Sequence, residues 1–269
     1  MKNAIKGIVV AAAMALTVSA TQSNAALLVS SNFNTPTYTD GALVTATDTT
    51  TAGQDGWLNS SGAGTNNILV SNTATNGVVS LATSGQDVRK VAGASQGINS
   101  GSAFLSALVN VTAAQATGDY FLHMGDGGTS NFYARVFAKS VTGGFQLALT
   151  TSSGGTPTYG ATLPLGTAIN LLVRYDFVTG GTTNDTGALF VNPTTADGTG
   201  DTAYIAAVTT GTDASYLASI NLRQGGAANS ATVTIDNLAI NGTVTTVPEP
   251  AALALAGLAG IAGLRRRRA

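Results

Sequence analysis

The stretch Ala168-Ile169-Asn170-Leu171-Leu172-Val173-Arg174-Tyr175-Asp176-Phe177 decides the fold class. Ile169, Leu171, Val173, Tyr175 and Phe177 point one way and Asn170, Leu172, Arg174 and Asp176 the other, the period of a strand with one buried face. The same alternation runs through Asn131 to Lys139, where Phe132, Ala134, Val136 and Ala138 make the expected core face and Tyr133, Arg135, Phe137 and Lys139 the outward one. Phe145, Leu147 and Leu149 continue it beyond Gly143-Gly144, a natural hairpin turn. Further strands are expected at Leu27 to Asn32, Ile68 to Ser71, Val78 to Ala82, Ala103 to Val111, Tyr120 to Met124, Ala188 to Asn192, Tyr204 to Val208, Ser219 to Arg223 and Thr232 to Ile240. In the last, Val233 and Ile235 fall out of phase with Leu238 and Ile240, so a bulge near Asp236-Asn237 is expected. No stretch of the body between residues 26 and 242 shows three turns of helical periodicity with caps. About a dozen strands divided by Gly, Asn and Asp turns predict an all-β, antiparallel two-sheet sandwich over residues 26–242. Residues 42–64, the least regular stretch, read as a long loop, and 243–247 as a linker.

Composition narrows the chemistry. Charged residues are 9% of the chain and cysteine is absent, which excludes a disulfide framework and thiolate catalysis. Between residues 26 and 247 there are six Lys and Arg against twelve Asp, a net of −6. An acidic body without a basic patch argues against nucleic acid as a partner.

The two ends carry addresses. Lys2 and Lys6, then the apolar run from Ile8 to Val18, read as a signal peptide for the Sec translocon. Cleavage after Ala25 fits Ser23-Asn24-Ala25, with Val18-Ser19-Ala20 a rival site. At the other end come Pro248-Glu249-Pro250, an apolar run from Ala251 to Leu264, and Arg265, Arg266, Arg267 and Arg268. The prolines hold the tripeptide extended and exposed. A helix over 251–264 would rise roughly 21 Å, short of the ~30 Å hydrocarbon core, and the arginines would stay cytoplasmic. This segment resembles the PEP-CTERM sorting signal of Gram-negative bacterial surface proteins. The resemblance implies processing near Pro248 to Pro250 by an exosortase, a membrane-embedded protease. It further implies a body held transiently in the periplasm by an inner-membrane anchor, then export to the cell surface or an exopolysaccharide matrix.

Within the body, Tyr120-Phe121-Leu122-His123-Met124-Gly125, Tyr133-Ala134-Arg135-Val136, Leu172-Val173-Arg174-Tyr175-Asp176, Phe190-Val191-Asn192-Pro193 and Ile235-Asp236-Asn237-Leu238 resemble laminin-G or concanavalin A-like jelly-roll domains. That resemblance implies a jelly roll, often with carbohydrate or calcium binding. Jelly-roll glucanases need a glutamate pair, and this body has no glutamate, Glu249 being the only one in the chain. His123, the only histidine, with Phe121 as its expected same-face neighbour, does not by itself make a catalytic site. No catalytic residues are therefore assigned.

Calcium is the cofactor weighed, with Gly125-Asp126-Gly127-Gly128, Asn184-Asp185 and Asp197-Gly198-Thr199-Gly200-Asp201 as candidate loops, although Asp-Gly is also ordinary turn chemistry and no metal ligand is assigned. A ligand platform is expected from Tyr133, Arg135 and Phe137, with Trp57 a second candidate. Two functions follow. The first is a non-enzymatic surface or matrix protein, sorted through its C-terminus; the second is a lectin-like module that binds extracellular polysaccharide.

Overall fold

The computed structural model describes residues 26–62, 64–71, 76–93, 96–242 and 245–246. Ala25, the tripeptide Pro248 to Pro250, the helix expected over 251–264 and the arginines from Arg265 to Arg268 lie outside the described residues. Among the described residues the secondary structure is strand, apart from one short 3-10 turn at Gln54–Gly56.

Two antiparallel sheets face each other in a sandwich of jelly-roll type. The first has nine strands, in the order β15 (Ile205–Val208), β14 (Thr186–Val191), β13 (Ile169–Asp176), β8 (Ser102–Ala113), β17 (Thr232–Gly242), β5 (Val78–Leu81), β4 (Leu69–Ser71) and β2 (Gly41–Ala42), with β1 (Ala26–Ser31) also on β17. The second has seven: β12 (Thr158–Leu163), β11 (Gly144–Ser152), β10 (Phe132–Val141), β9 (Asp119–Gly125), β16 (Ser219–Leu222), β6 (Asp87–Val91) and β3 (Trp57–Ser61). A ribbon of β7 (Gln96–Gly97) and β18 (Thr245–Thr246) lies apart from both.

Alternation explains the core. Along β8, Ala103, Leu105, Ala107, Val109 and Val111 are buried between half-buried polar and apolar residues. On β13, Ile169, Leu171, Val173 and Tyr175 join them, as the period of two requires. Phe145, Leu147 and Leu149 on β11 close the core from the other sheet. Leu172, which the alternation turns away from this core, is not exposed. It packs with Ala188 and Phe190 into a small second cluster on the outer face, against Phe104 and Ala203.

The change of phase in β17 is a bulge. The pairing with β8 shifts between Asp236 and Ala239, and Asn237 takes φ 51°. The first half of the strand then pairs with β5 and the second half with β1, so Val233, Ile235, Leu238 and Ile240 are all buried. The hairpin at Gly143-Gly144 is present, with Gly143 at φ 89°.

Residues 42–64 are more ordered than a long loop. They contain the 3-10 turn and β3, because Trp57 and Asn59 face inward from a strand that pairs with β6. Neither β3, β6 nor β12 was expected from alternation. Each mixes charged or small polar residues into its sequence, which weakens the hydrophobic signal.

Candidate functional site

The outer face of the second sheet gathers the chemistry. Its side chains are set by two bulges that sequence periodicity could not place. In β10, Ala134 adopts φ 47° and the pairing with β9 slips between Tyr133 and Val136. Tyr133 therefore turns toward the core, its ring 6.4 Å from Tyr175, while Arg135, Phe137 and Lys139 remain outward. The slip also turns Phe132 outward, against His123 at 4.8 Å between ring centroids. The expected platform of Tyr133, Arg135 and Phe137 thus splits, with Phe132 and Tyr133 exchanging sides.

A second slip, where β9 meets Val136 and Phe137, buries both Phe121 and Leu122 in the core. Tyr120 and His123 then share the outer face, with ring centroids 5.5 Å apart. Phe121 is accordingly not the partner of His123. Trp57, the other candidate platform, is wholly buried and stacks on Phe33 at 6.1 Å.

On this face rings alternate with guanidinium groups. Arg135 lies 5.2 Å from the Phe137 ring and 5.0 Å from the Tyr120 ring, and Arg223 lies 4.2 Å from Tyr120. At one side the Lys139 ammonium stands 3.7 Å over Tyr159 of β12. The stacking holds planar cations in place with their edges free to seek acceptors. Arg135 donates to Thr150 Oγ1 and the Ser152 carbonyl, and burial lowers its pKa. Arg223 donates to Asp119 at 2.6 Å and approaches Asp87 at 3.9 Å. Arg89, beside Asn221, clamps the surrounding loops through the carbonyls of Gly127, Asn59 and Thr49.

Between these groups a small recess of about 40 Å³ opens among Ser60, Asp87, His123, Phe132, Asn221 and Arg223. His123 is buried, and that burial pushes its pKa down to about 3. Its Nδ1 lies 3.0 Å from the Met124 carbonyl, which can only accept, so the neutral ring donates from Nδ1 and keeps Nε2 as an acceptor. A ring this hard to protonate binds hydroxyls well and takes protons poorly near neutral pH. Burial also raises the Asp87 carboxyl above its ordinary value, against the pull of Ser61, the Gln224 amide and Arg223.

The candidate calcium loops use their carboxylates internally. Asp201 accepts the amides and hydroxyls of Thr194 and Thr195, which hold its pKa down to about 2. Asp197 accepts from Thr199, Asp126 from Gly128 and Asn131, and Asp185 from Tyr175 and Val178. Asn184, oriented by its neighbours, donates to Asp213 and the Val178 carbonyl. Among the described residues no group of three His, Cys, Asp or Glu converges.

Comparison with known proteins adds the address. Residues 246–268 match the PEP-CTERM protein-sorting motif. The motif implies export with a C-terminal membrane anchor before cleavage, and processing by an exosortase. No curated protein sequence matches the chain. Among solved structures it is similar to alginate lyase Aly36B in complex with an alginate tetrasaccharide, at 14% identity and TM-score 0.48 over 82% of this chain and 98% of that one. It is also similar to alginate lyase vAL-1 from Chlorella virus, at 10% identity and TM-score 0.43 over 64% and 88%. A third likeness is to carbohydrate-binding module CBM66 from Bacillus subtilis, at 11% identity and TM-score 0.38 over 70% and 96%. Identities and scores this low transfer neither activity nor ligand.

Proposed function

We propose that the body is a non-enzymatic surface or matrix module that binds an acidic polysaccharide across the outer face of the second sheet. The placement of charge carries this reading. Of the six cations between residues 26 and 247, four, namely Arg89, Arg135, Lys139 and Arg223, lie on this one face of a body that holds twelve aspartates. A polyanion is repelled by the rest of such a surface and steered to this face. Arg223 and Lys139, the partly exposed cations of this face, suit uronate carboxylates. The buried Arg89 and Arg135 add charge from beneath while their donors hold internal oxygens, and Tyr120, Phe132 and Tyr159 offer rings for the apolar faces of sugars. The absence of glutamate from the body and the low basicity of His123 support binding over hydrolysis. Export through the C-terminal motif would bring the module to its polymer, and calcium has no part in this reading.

Affinity electrophoresis of the purified body tests it. Alginate, a polyuronate, is expected to retard the protein and uncharged dextran is not. The Lys139→Ala, Tyr159→Ala double variant should weaken retention roughly tenfold, since it removes one charged contact and one stacking ring. Added salt should weaken it further. Equal retention in dextran, or none in alginate, would sink the proposal. Release of unsaturated uronates from alginate would make the protein a lyase.

The raised pKa of Asp87 gives the binding a pH dependence. As pH falls through that titration, the carboxylate beside Arg223 is neutralised and the face becomes more positive. Affinity for alginate should therefore rise toward acid pH, until the polymer's own carboxylates protonate. Folding shifts the same way, because a carboxyl whose pKa is raised in the folded state costs stability above that pKa and less below it. Binding measured across a pH series, with Asp87→Asn flattening the profile, checks this expectation.

A further inference from the structure

The outer face of the first sheet, on the opposite side of the sandwich, carries a buried carboxylate that no salt bridge neutralises among the described residues. Asp236 precedes the bulge in β17 and is 8% exposed. Its hydrogen bond, among the described residues, comes from the next amide, that of Asn237, at 2.6 Å. The side chain lines a pocket of about 170 Å³ with Val78, Leu108, Asn110, Ala168 and Thr234. Asn110 and Thr234 are paired across β8 and β17, and Asp236 is two residues further along the same face. The carbonyl oxygen of the Asn110 side chain is buried and has no hydrogen-bond partner. One wall thus holds an acceptor without a donor and a carboxylate without a counter-charge, a condition native proteins rarely leave uncorrected.

We propose that this pocket receives the side chain of a lysine from a partner protein. Three acceptors stand at its polar end: the Asp236 carboxylate, the Thr234 hydroxyl, and the Asn110 carbonyl once its soft terminal torsion turns it inward. An ammonium has three donors and no acceptor. The remaining walls, Val78, Leu108 and Ala168, match the aliphatic stem and leave nothing for the many hydroxyls of a sugar. Burial raises the Asp236 carboxyl pKa, and a bound cation would favour its ionised form. The site is distinct from the polysaccharide face, so either reading can fail alone.

The test uses NMR on the isotopically labelled body with Nα-acetyl-lysine methylamide as the probe. The free amine should shift the Asn110 side-chain amide and the Asp236 and Asn237 backbone signals, saturating with millimolar affinity. The Nε-acetylated and norleucine analogues should not. Asp236→Asn keeps shape and should weaken binding by about tenfold or more, the loss expected when a charged hydrogen bond is removed. Asn110→Leu should weaken it less, and its retained melting temperature would show that the orphaned carbonyl serves no structural role. Lys139→Ala with Tyr159→Ala should leave the lysine probe unaffected. No shift with the amine, equal binding of the acetylated probe, indifference to Asp236→Asn, or tighter binding of methyl glucosaminide would each overturn the assignment.

Discussion

Replacing Trp57 with alanine should lower the melting temperature of the exported body by roughly 10 °C. Removing a buried tryptophan costs about 3–5 kcal/mol, and a domain of this size loses about 2–4 °C for each. Trp57 is wholly buried, and its indole N–H donates at 3.1 Å to both Ser31 Oγ and Tyr38 OH. Tyr38 donates in turn to Asp55 at 2.5 Å, and Lys90 reaches Asp55 and the Ser30 carbonyl. Ser31 belongs to the first sheet, Trp57 and Lys90 to the second, so the cluster ties the two sheets together. Burial and the Asp55 hydrogen bond raise the Tyr38 pKa, keeping the hydroxyl protonated as a donor. Trp57→Phe should cost less, because it keeps most of the packing and loses the N–H. Thermal unfolding followed by circular dichroism measures both variants. A melting temperature that stays put while polysaccharide binding disappears would return Trp57 to the ligand-binding role expected of it from sequence.

Changing Glu249 to Gln should leave the protein as an unprocessed precursor in the membrane fraction. The substitution preserves size and removes one charge, the only glutamate charge in the chain, from a tripeptide that lies within the matched sorting motif. The fold adds a reason for recognition to be local. Strand β18 pairs Thr245 and Thr246 with Gly97 and Gln96, and Pro248 follows Thr246 by two positions in the sequence. Two residues reach at most about 7 Å, which would bring a processing enzyme close to the folded body. Immunoblots of fractionated cells, comparing precursor and mature mobility, would show the block; normal maturation of the variant would place recognition elsewhere.

Much of the architecture was legible because strand periodicity is a local property. Ile169 to Tyr175 and Phe145 to Leu149 alternate cleanly and sit as expected, and the bulge at Asp236-Asn237 showed as a change of phase. The site was less legible for the same reason. Alternation assigns faces only while the register holds, and it breaks at Ala134 and at Phe121-Leu122 without any proline, glycine or phase signal. One inserted residue sends everything beyond it to the opposite face. Arg135 and Phe137 kept their expected side, while Tyr133, Phe132 and Phe121 did not. The roles of Tyr120, Tyr159, Arg223 and Lys139 depend on strands far apart in the chain, which no local pattern relates.

The amino-acid sequence alone therefore determined the all-β class, the turn positions, the acidic balance of the body and the C-terminal address. These depend on residue type and near-neighbour spacing. Only the tertiary structure decided which cations share a face, which aromatic rings reach it and that Trp57 does not. Those outcomes follow from strand pairing and bulges, through which contacts between distant residues override the local period.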